Sequence, residues 1–415
     1  MADELETLLT ESKRASRALG VAPAEQRHAA IAAIADAIEV AAERIRAANA
    51  EDLERGRANG LADGLLDRLL LDESRIAGLA AAARALAELP DPVGEVLRER
   101  TLPNGLELTE VRVPFGVVGV IYEARPNVTV DLACIGLGSG NAVVLRGGSA
   151  AERSNAVLVD VMQGAIEAAG LPRAAVQTID RFGRDGAGRL MRARGLVDLL
   201  VPRGSAALIE RVVTESTVPV IETGAGVVHA FVDRAADLPM AVEIVLNAKT
   251  QRTSVCNALE TVLVHRDIAE TAVPVLADAL RQAGVTIHAD AALPGVDGAA
   301  PLGEHGWSTE HLSMDVAIGV VDGLDAAIEH VNAFGTHHTD TIITDDAQSA
   351  ARFLAEVDSA VVMHNASTRF TDGGEFGFGA EVGISTQKAH ARGPMGLPEL
   401  TSTKWIVRGT GQVRA

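Results

Sequence analysis

The chain has 415 residues, a net charge of −19, 47% hydrophobic residues and only 3% aromatic ones. That length allows two or three domains with large aliphatic cores, and that charge excludes a nucleic-acid partner, which needs clustered Lys and Arg. No run of about 18 uncharged apolar residues indicates a membrane span, Met1-Ala-Asp-Glu-Leu-Glu holds no apolar signal core, and two cysteines cannot form a disulfide framework, so a reduced cytoplasm is expected.

Residues 3–89 read as helices, with Ile31, Ile34, Ile38 and Ile45 at helical spacing. Pro90-Asp91-Pro92 breaks the pattern. Alternation around Asn104-Gly105 then predicts a β-hairpin. After Pro114, apolar runs at 116–122, 142–145, 175–179, 198–201 and 218–221 alternate with helix candidates at 126–138, 152–169, 185–194 and 203–216. This alternation predicts βαβ units and a parallel sheet.

A second α/β series follows. It runs helix 238–249, strand 259–264, helix 267–283, strands 285–288 and 316–321, helix 323–332, strand 338–344, helix 346–356 and strand 359–363. The Gly-rich stretch 366–399 reads as ordered loop, and 403–408 as a last strand.

Cys256 lies in a polar loop, Asn247-Ala-Lys-Thr-Gln-Arg-Thr-Ser-Val-Cys256-Asn, just before an apolar strand. A thiol at a strand mouth can attack a carbonyl or acyl carbon, and Glu222 upstream offers a carboxylate for proton transfer. Burial as a small apolar filler is the competing reading, and it is the expected one for Cys134 inside an apolar helix. Arg146-Gly-Gly-Ser149 and Arg203-Gly204-Ser205 each end a strand and open a helix. Ligands of open α/β sheets bind at such ends, and free helix N–H groups favour an anion. A plain turn and a simple N-cap are the alternatives. No Gly-x-Gly-x-x-Gly follows the first strand, and no phosphate-binding Gly-x4-Gly-Lys loop is present. No Cys/His grouping has metal-ligand spacing, so no metal is expected.

Longer segments carry a resemblance. They are Val113-Pro-Phe-Gly-Val-Val-Gly-Val-Ile-Tyr-Glu-Ala-Arg-Pro-Asn127-Val-Thr, Gly140 to Ser149, Ile221-Glu-Thr-Gly-Ala-Gly-Val-Val-His229, Gly335-Thr-His-His-Thr-Asp340 and Phe370 to Lys388, continuing to Leu397. Together they resemble the aldehyde dehydrogenase superfamily, over nearly the whole chain. The nearest likeness is to the branch that reduces the acyl phosphate L-glutamyl 5-phosphate.

The resemblance implies an aldehyde dehydrogenase-like α/β fold: two parallel-sheet α/β domains plus a small β oligomerisation flap. Residues 1–99 and 114–226 would form the dinucleotide-binding domain, 227–400 the catalytic domain, and 100–113 with 401–415 the flap. It implies Cys256 as nucleophile and Glu222 as general base. Arg146 and Ser149 would lie at the adenosine ribose, Gly204 and Ser205 at the pyrophosphate, and Glu310 at the nicotinamide ribose. The superfamily's Pro-Trp-Asn-Phe/Tyr-Pro is replaced by Tyr122-Glu-Ala-Arg-Pro126-Asn127, which leaves Asn127 or the Cys256 N–H as oxyanion donor. NADPH as cofactor, a homodimer or larger homo-oligomer, and functional association with a glutamate 5-kinase are further expectations. Two other readings stay open: a thioester-forming aldehyde dehydrogenase that oxidises an aldehyde to an acid or acyl-CoA, and a non-enzymatic relative.

Overall fold

A computed structural model describes residues 3–123, 125–289, 293, 296, 298–303 and 306–414. Its chain divides into two compact units. The first holds residues 1–222, 377–383 and 395–415; the second holds 223–376 and 384–394. The division falls after Glu222 rather than after 226, and two C-terminal pieces below residue 401 belong with the first unit.

The first unit opens with five helices, α1 (Glu4–Leu19), α2 (Ala24–Val40), α3 (Ala42–Ala58), α4 (Asp63–Leu69) and α5 (Glu73–Ala87). Asp3 and Asp72 cap α1 and α5 by accepting backbone N–H bonds. Ile31, Ile34 and Ile38 of α2 and Ile45 of α3 are fully buried. Each such side chain stabilises the fold by roughly 2–3 kcal/mol relative to exposure.

Next come β1 (Val96–Thr101), β2 (Glu107–Pro114), β3 (Val117–Tyr122), α6 (Pro126–Gly138), β4 (Ala142–Arg146), α7 (Glu152–Ala168), β5 (Val176–Thr178), α8 (Gly183–Met191), β6 (Leu199–Arg203) and α9 (Ala206–Glu215). Strands β5, β4, β3 and β6 lie side by side in that order, all parallel. The 218–221 run adds no fifth strand; it makes only a bridge between Val220 and Leu200.

The second unit contains β7 (Val228–Val232), α10 (Leu238–Thr250), β8 (Leu259–His265), α11 (Ala269–Gln282), β9 (Thr286–His288), β10 (Asp315–Val321), α12 (Leu324–Phe334), β11 (Thr339–Ile343), α13 (Ala347–Glu356) and β12 (Val361–His364). Its six strands run β12-β11-β7-β8-β10-β9, all parallel. The central strand β7 is one the sequence pattern did not predict. His229 interrupts its apolar run, yet is fully buried. Its backbone N–H and Nδ1 both meet Asp340 Oδ1 on neighbouring β11, at 2.8 and 3.1 Å. Val228, Ala230 and Val232 pack in one core with α10 and α11, while Phe231 packs in a second with α12 and α13. Helices on both faces explain why the strands read as unbroken apolar runs.

The 366–399 stretch is not all loop, since it includes short strands β13 (Gly383–Ser385) and β14 (Gly393–Met395). The last strand, β15 (Thr401–Arg408), pairs antiparallel with β2 along its whole length, and β2 pairs with β1. The β1–β2 turn closes at Asn104-Gly105, where Gly105 takes φ +85°. This three-stranded sheet therefore begins at Val96, inside the segment expected to belong to the dinucleotide-binding domain.

His338, just before β11, is 1% exposed, and burial pushes its pKa down to about 4. The unfolded chain takes up this proton near pH 6.5 and the folded chain near 4, so stability is full above that window and falls as pH drops through it. The imidazole should withdraw roughly 3 kcal/mol of folding free energy by pH 4. Thermal unfolding at several pH values should show a shallower acid limb in His338→Gln than in the parent; equal limbs would refute the assignment.

Candidate active site

In the first unit, the β4–α7 turn is held by a buried polar chain. Gly147 N–H donates to Asp180 Oδ1 at 2.6 Å, and Asn155 Nδ2 donates to Asp180 Oδ2 at 3.0 Å. Thr129 Oγ1 bonds Asn155 Oδ1 at 2.9 Å and the Tyr122 hydroxyl at 2.6 Å. Burial pushes the Asp180 carboxyl up, opposed by these bonds and by Arg146. A β-carbon at Gly147 would lie 2.2 Å from Asn155 Nδ2, so only glycine fits. Arg146 Nη1 donates to Gly147 O at 2.7 Å, and its Nε is buried without a partner among the described residues. Ser149 is exposed, and its carbonyl accepts from Arg55 at 2.8 Å.

Gly204 and Ser205 precede α9 as expected, and Ser205 holds the N-cap position without a side-chain capping bond. Glu123 lies there instead: its carboxylate accepts from Ser205 N at 3.1 Å and Ser205 Oγ at 2.8 Å. An anion already sits at the helix end that the sequence assigns to pyrophosphate. Asn127 is exposed on the first turn of α6, with Nδ2 toward Asp131 Oδ2 at 3.4 Å. Burial pushes the Asp131 carboxyl up to about 6. Glu222 is half-buried at the end of this unit, one residue after Ile221, whose N–H donates to Leu200 O at 2.9 Å. Cys134 is fully buried on α6, and burial pushes its thiol pKa up, as the core reading requires.

In the second unit, Cys256 is half-buried on the loop from α10 to β8. Three contacts fix that loop. Lys249 on α10 and Glu260 on β8 are both fully buried and bonded at 2.9 Å, and Lys249 Nζ also donates to Leu259 O at 2.8 Å. Burial pushes Lys249 down and Glu260 up to about 7. Asn257, beside the thiol, donates to Thr371 O at 2.7 Å, while its carbonyl accepts from Thr368 Oγ1 at 2.8 Å. Gly226 presses on the loop: a β-carbon there would lie 1.5 Å from the Cys256 carbonyl oxygen.

Glu310 supports that glycine. Its Oε1 accepts from Gly226 N at 2.6 Å, and burial raises its pKa. The structure thus brings Glu310, for which the resemblance implies a place at the nicotinamide ribose, and Cys256 to the same glycine. Lys249, Glu260, Asn257 and Gly226 escaped the sequence reading. One signal was available: a lysine, one of four in the chain, sits near the end of a largely apolar helix pattern.

A histidine–aspartate group also forms, against the expectation from spacing. Ligand atoms of His288, His311 and Asp315 lie within 4.8 Å of one another. Within it His288 Nε2 meets Asp315 Oδ1 at 2.9 Å, and Ser313 Oγ donates to the other carboxylate oxygen at 2.5 Å.

Residues 1–294 match the model of the aldehyde dehydrogenase family. The chain is 64% identical to a gamma-glutamyl phosphate reductase of Clavibacter michiganensis subsp. michiganensis, covering 100% of this chain and 96% of that one. It is 62% identical to one from Leifsonia xyli subsp. xyli, covering 100% and 99%. The crystal structure of a gamma-glutamyl phosphate reductase from Thermotoga maritima superposes with a TM-score of 0.97 at 42% identity, covering 100% of both chains.

Proposed function

This chain belongs to the aldehyde dehydrogenase family, and from that premise we propose that it reduces L-glutamyl 5-phosphate to L-glutamate 5-semialdehyde and phosphate, the second step of proline biosynthesis from glutamate. The observation that carries the reading is full-length identity of 64% to a reductase of that name, together with a half-buried thiol on a loop pinned at both ends. Cys256 attacks the acyl carbon as thiolate. The S–C bond forms, the C–O bond breaks, and phosphate leaves with the electron pair, giving a thioester. A nicotinamide cofactor, taken here as NADPH, supplies the hydride that brings the thioester to the aldehyde level. Collapse of the thiohemiacetal breaks the C–S bond and releases the semialdehyde. This direction consumes no water, so Glu222 moves protons on the thiol or thiohemiacetal. The Cys256 N–H and Asn127 are the proposed oxyanion donors. The chemistry requires a reduced thiol and so a reducing compartment, the cytoplasm. No helix among the described residues is long and apolar enough to cross a membrane.

Arg146, Ser149, Gly204 and Ser205 are proposed to hold the dinucleotide, and Glu310 its nicotinamide ribose. The unpartnered Arg146 Nε supports a ribose contact there. The dinucleotide's pyrophosphate would replace the Glu123 carboxylate at α9.

The three-stranded sheet is proposed as the contact between copies of this chain. Its outer strand β15 exposes Trp405 by 49% and Val407 by 55%. Open apolar strand edges invite pairing, and two-fold dimers are the commonest closure. Glutamate 5-kinase, which makes the labile substrate, is the proposed functional partner.

A coupled assay with that kinase, ATP, glutamate and NADPH tests the reaction. In it, Cys256→Ser should lose all but about a hundredth of the rate, roughly 3 kcal/mol of barrier, while NADPH binding stays intact and Cys134→Ser stays active. A Cys256→Ser enzyme faster than this would sink covalent catalysis. Arg146→Ala should weaken NADPH more than NADH, by about 1.5–3 kcal/mol for a charge-assisted contact; an equal loss would assign Arg146 to the shared ribose. Trp405→Lys with Val407→Glu should shift light scattering from oligomer toward monomer, and a monomeric parent would remove the sheet from assembly.

A further inference from the structure

Arg369 stands on a short helical turn, Thr368–Phe370, joined to the Cys256 loop by several bonds. Its Nε donates to Gln251 Oε1 at 2.8 Å, and its carbonyl accepts from Asn257 Nδ2 at 3.4 Å. Asn257 and Thr368 are buried and bonded to each other, so turn and loop move as one piece. The guanidinium is half-buried, and burial pushes its pKa down, opposed by Asp372, Cys256 and Glu375. Cys256 therefore lies within its electrostatic reach, as does the cation of Arg252. Among the described residues the two terminal nitrogens make no hydrogen bond and no ion pair. Asp372 and Glu375 act on it only at longer range.

A guanidinium whose Nε is tied to a neutral amide keeps its planar fork at a fixed orientation. That fork matches a phosphate or carboxylate through two parallel N–H bonds. The acyl phosphate has two such anions. Its phosphoryl group is bonded to the carbon that the thiol attacks, whereas its α-carboxylate is at the far end of the carbon chain. The anion nearest the thiol at attack is the phosphoryl group.

We infer that Arg369, oriented by Gln251 and aided by Arg252, is the anion site of the nucleophile loop and holds the phosphoryl group of the acyl phosphate while Cys256 displaces it. This rests on the acyl-phosphate reading above. As the S–C bond forms and the C–O bond breaks, the departing phosphate gains charge, and the fixed cation stabilises that charge without reorganising. In the reverse direction the same fork would deliver inorganic phosphate to the thioester.

The test first separates the anion site from the reaction. Cys256 is alkylated with anionic iodoacetate and with neutral iodoacetamide, and the ratio of rates is compared in the parent, Arg369→Gln and Arg369→Lys. The ratio should fall about tenfold in Arg369→Gln and be largely kept in Arg369→Lys, because a nearby unit charge sorts the reagents while a merely structural residue does not. Inorganic phosphate should protect the parent against iodoacetamide but not Arg369→Gln. An unchanged ratio in an Arg369→Gln protein that melts like the parent overturns the site. Phosphate-dependent oxidation of the semialdehyde then identifies the anion. A raised KM for phosphate with little change for the semialdehyde supports the assignment; the opposite pattern makes the ligand the α-carboxylate and overturns it. Absence of turnover in the parent would discredit the reaction, while the alkylation ratio would still report on the site.

Discussion

A charge pair sealed from water governs the surroundings of Cys256. Lys249 and Glu260 face each other across the base of the thiol's loop, one on the helix leading in and the other on the strand leading out. Two ions in a dry interior are costly to bring together, and separating them costs more: removing one partner of such a pair destabilises by about 3–5 kcal/mol. The pair has further bonds to Leu259 O and from Leu312 N, so few of its hydrogen-bonding groups are left unused. With its ends fixed, the loop needs only small contacts to set its crown. Asn257 supplies one and Gly226 another, the second by having no side chain.

Three carboxylates hold main-chain N–H groups in place. Glu310 supports Gly226, Asp340 supports His229 on the neighbouring strand, and Asp180 supports Gly147. Each is a carboxylate accepting from a main-chain N–H beside a strand end. Main-chain N–H groups beside a strand end can lack a partner in the sheet, and these carboxylates satisfy them. The same amino acids can therefore serve a scaffold and a reaction within a few residues of each other.

Most elements were legible because aliphatic runs and helical periods alternate so regularly; α6 was read to the residue, at Pro126–Gly138. The central strand β7 was not, because a fully buried histidine broke its apolar signature, and only Asp340, far along the chain, makes that burial tolerable. Residues 218–221 erred the other way. Their composition suits a strand, but they bridge the sheet at one residue. The placement of Cys256 on a loop before a strand was legible from its polar setting. Lys249, Glu260 and Arg369 were not, because what distinguishes them is burial and contacts, which depend on the fold. Local pattern carries periodicity well and long-range polar pairing poorly.

Glu123 gives the end of α9 a resident anion before any ligand arrives. The carboxylate occupies the Ser205 N–H and hydroxyl at the positive end of the helix dipole, so the chain stores a tethered rival for that seat. A tethered group competes at a high effective concentration that dilution cannot reduce. A diffusing phosphate must outbid it by charge and by contacts elsewhere, and once those contacts weaken the carboxylate swings back. If this helix end seats the pyrophosphate as proposed, binding there exchanges one anion for another, and the tethered carboxylate would favour release.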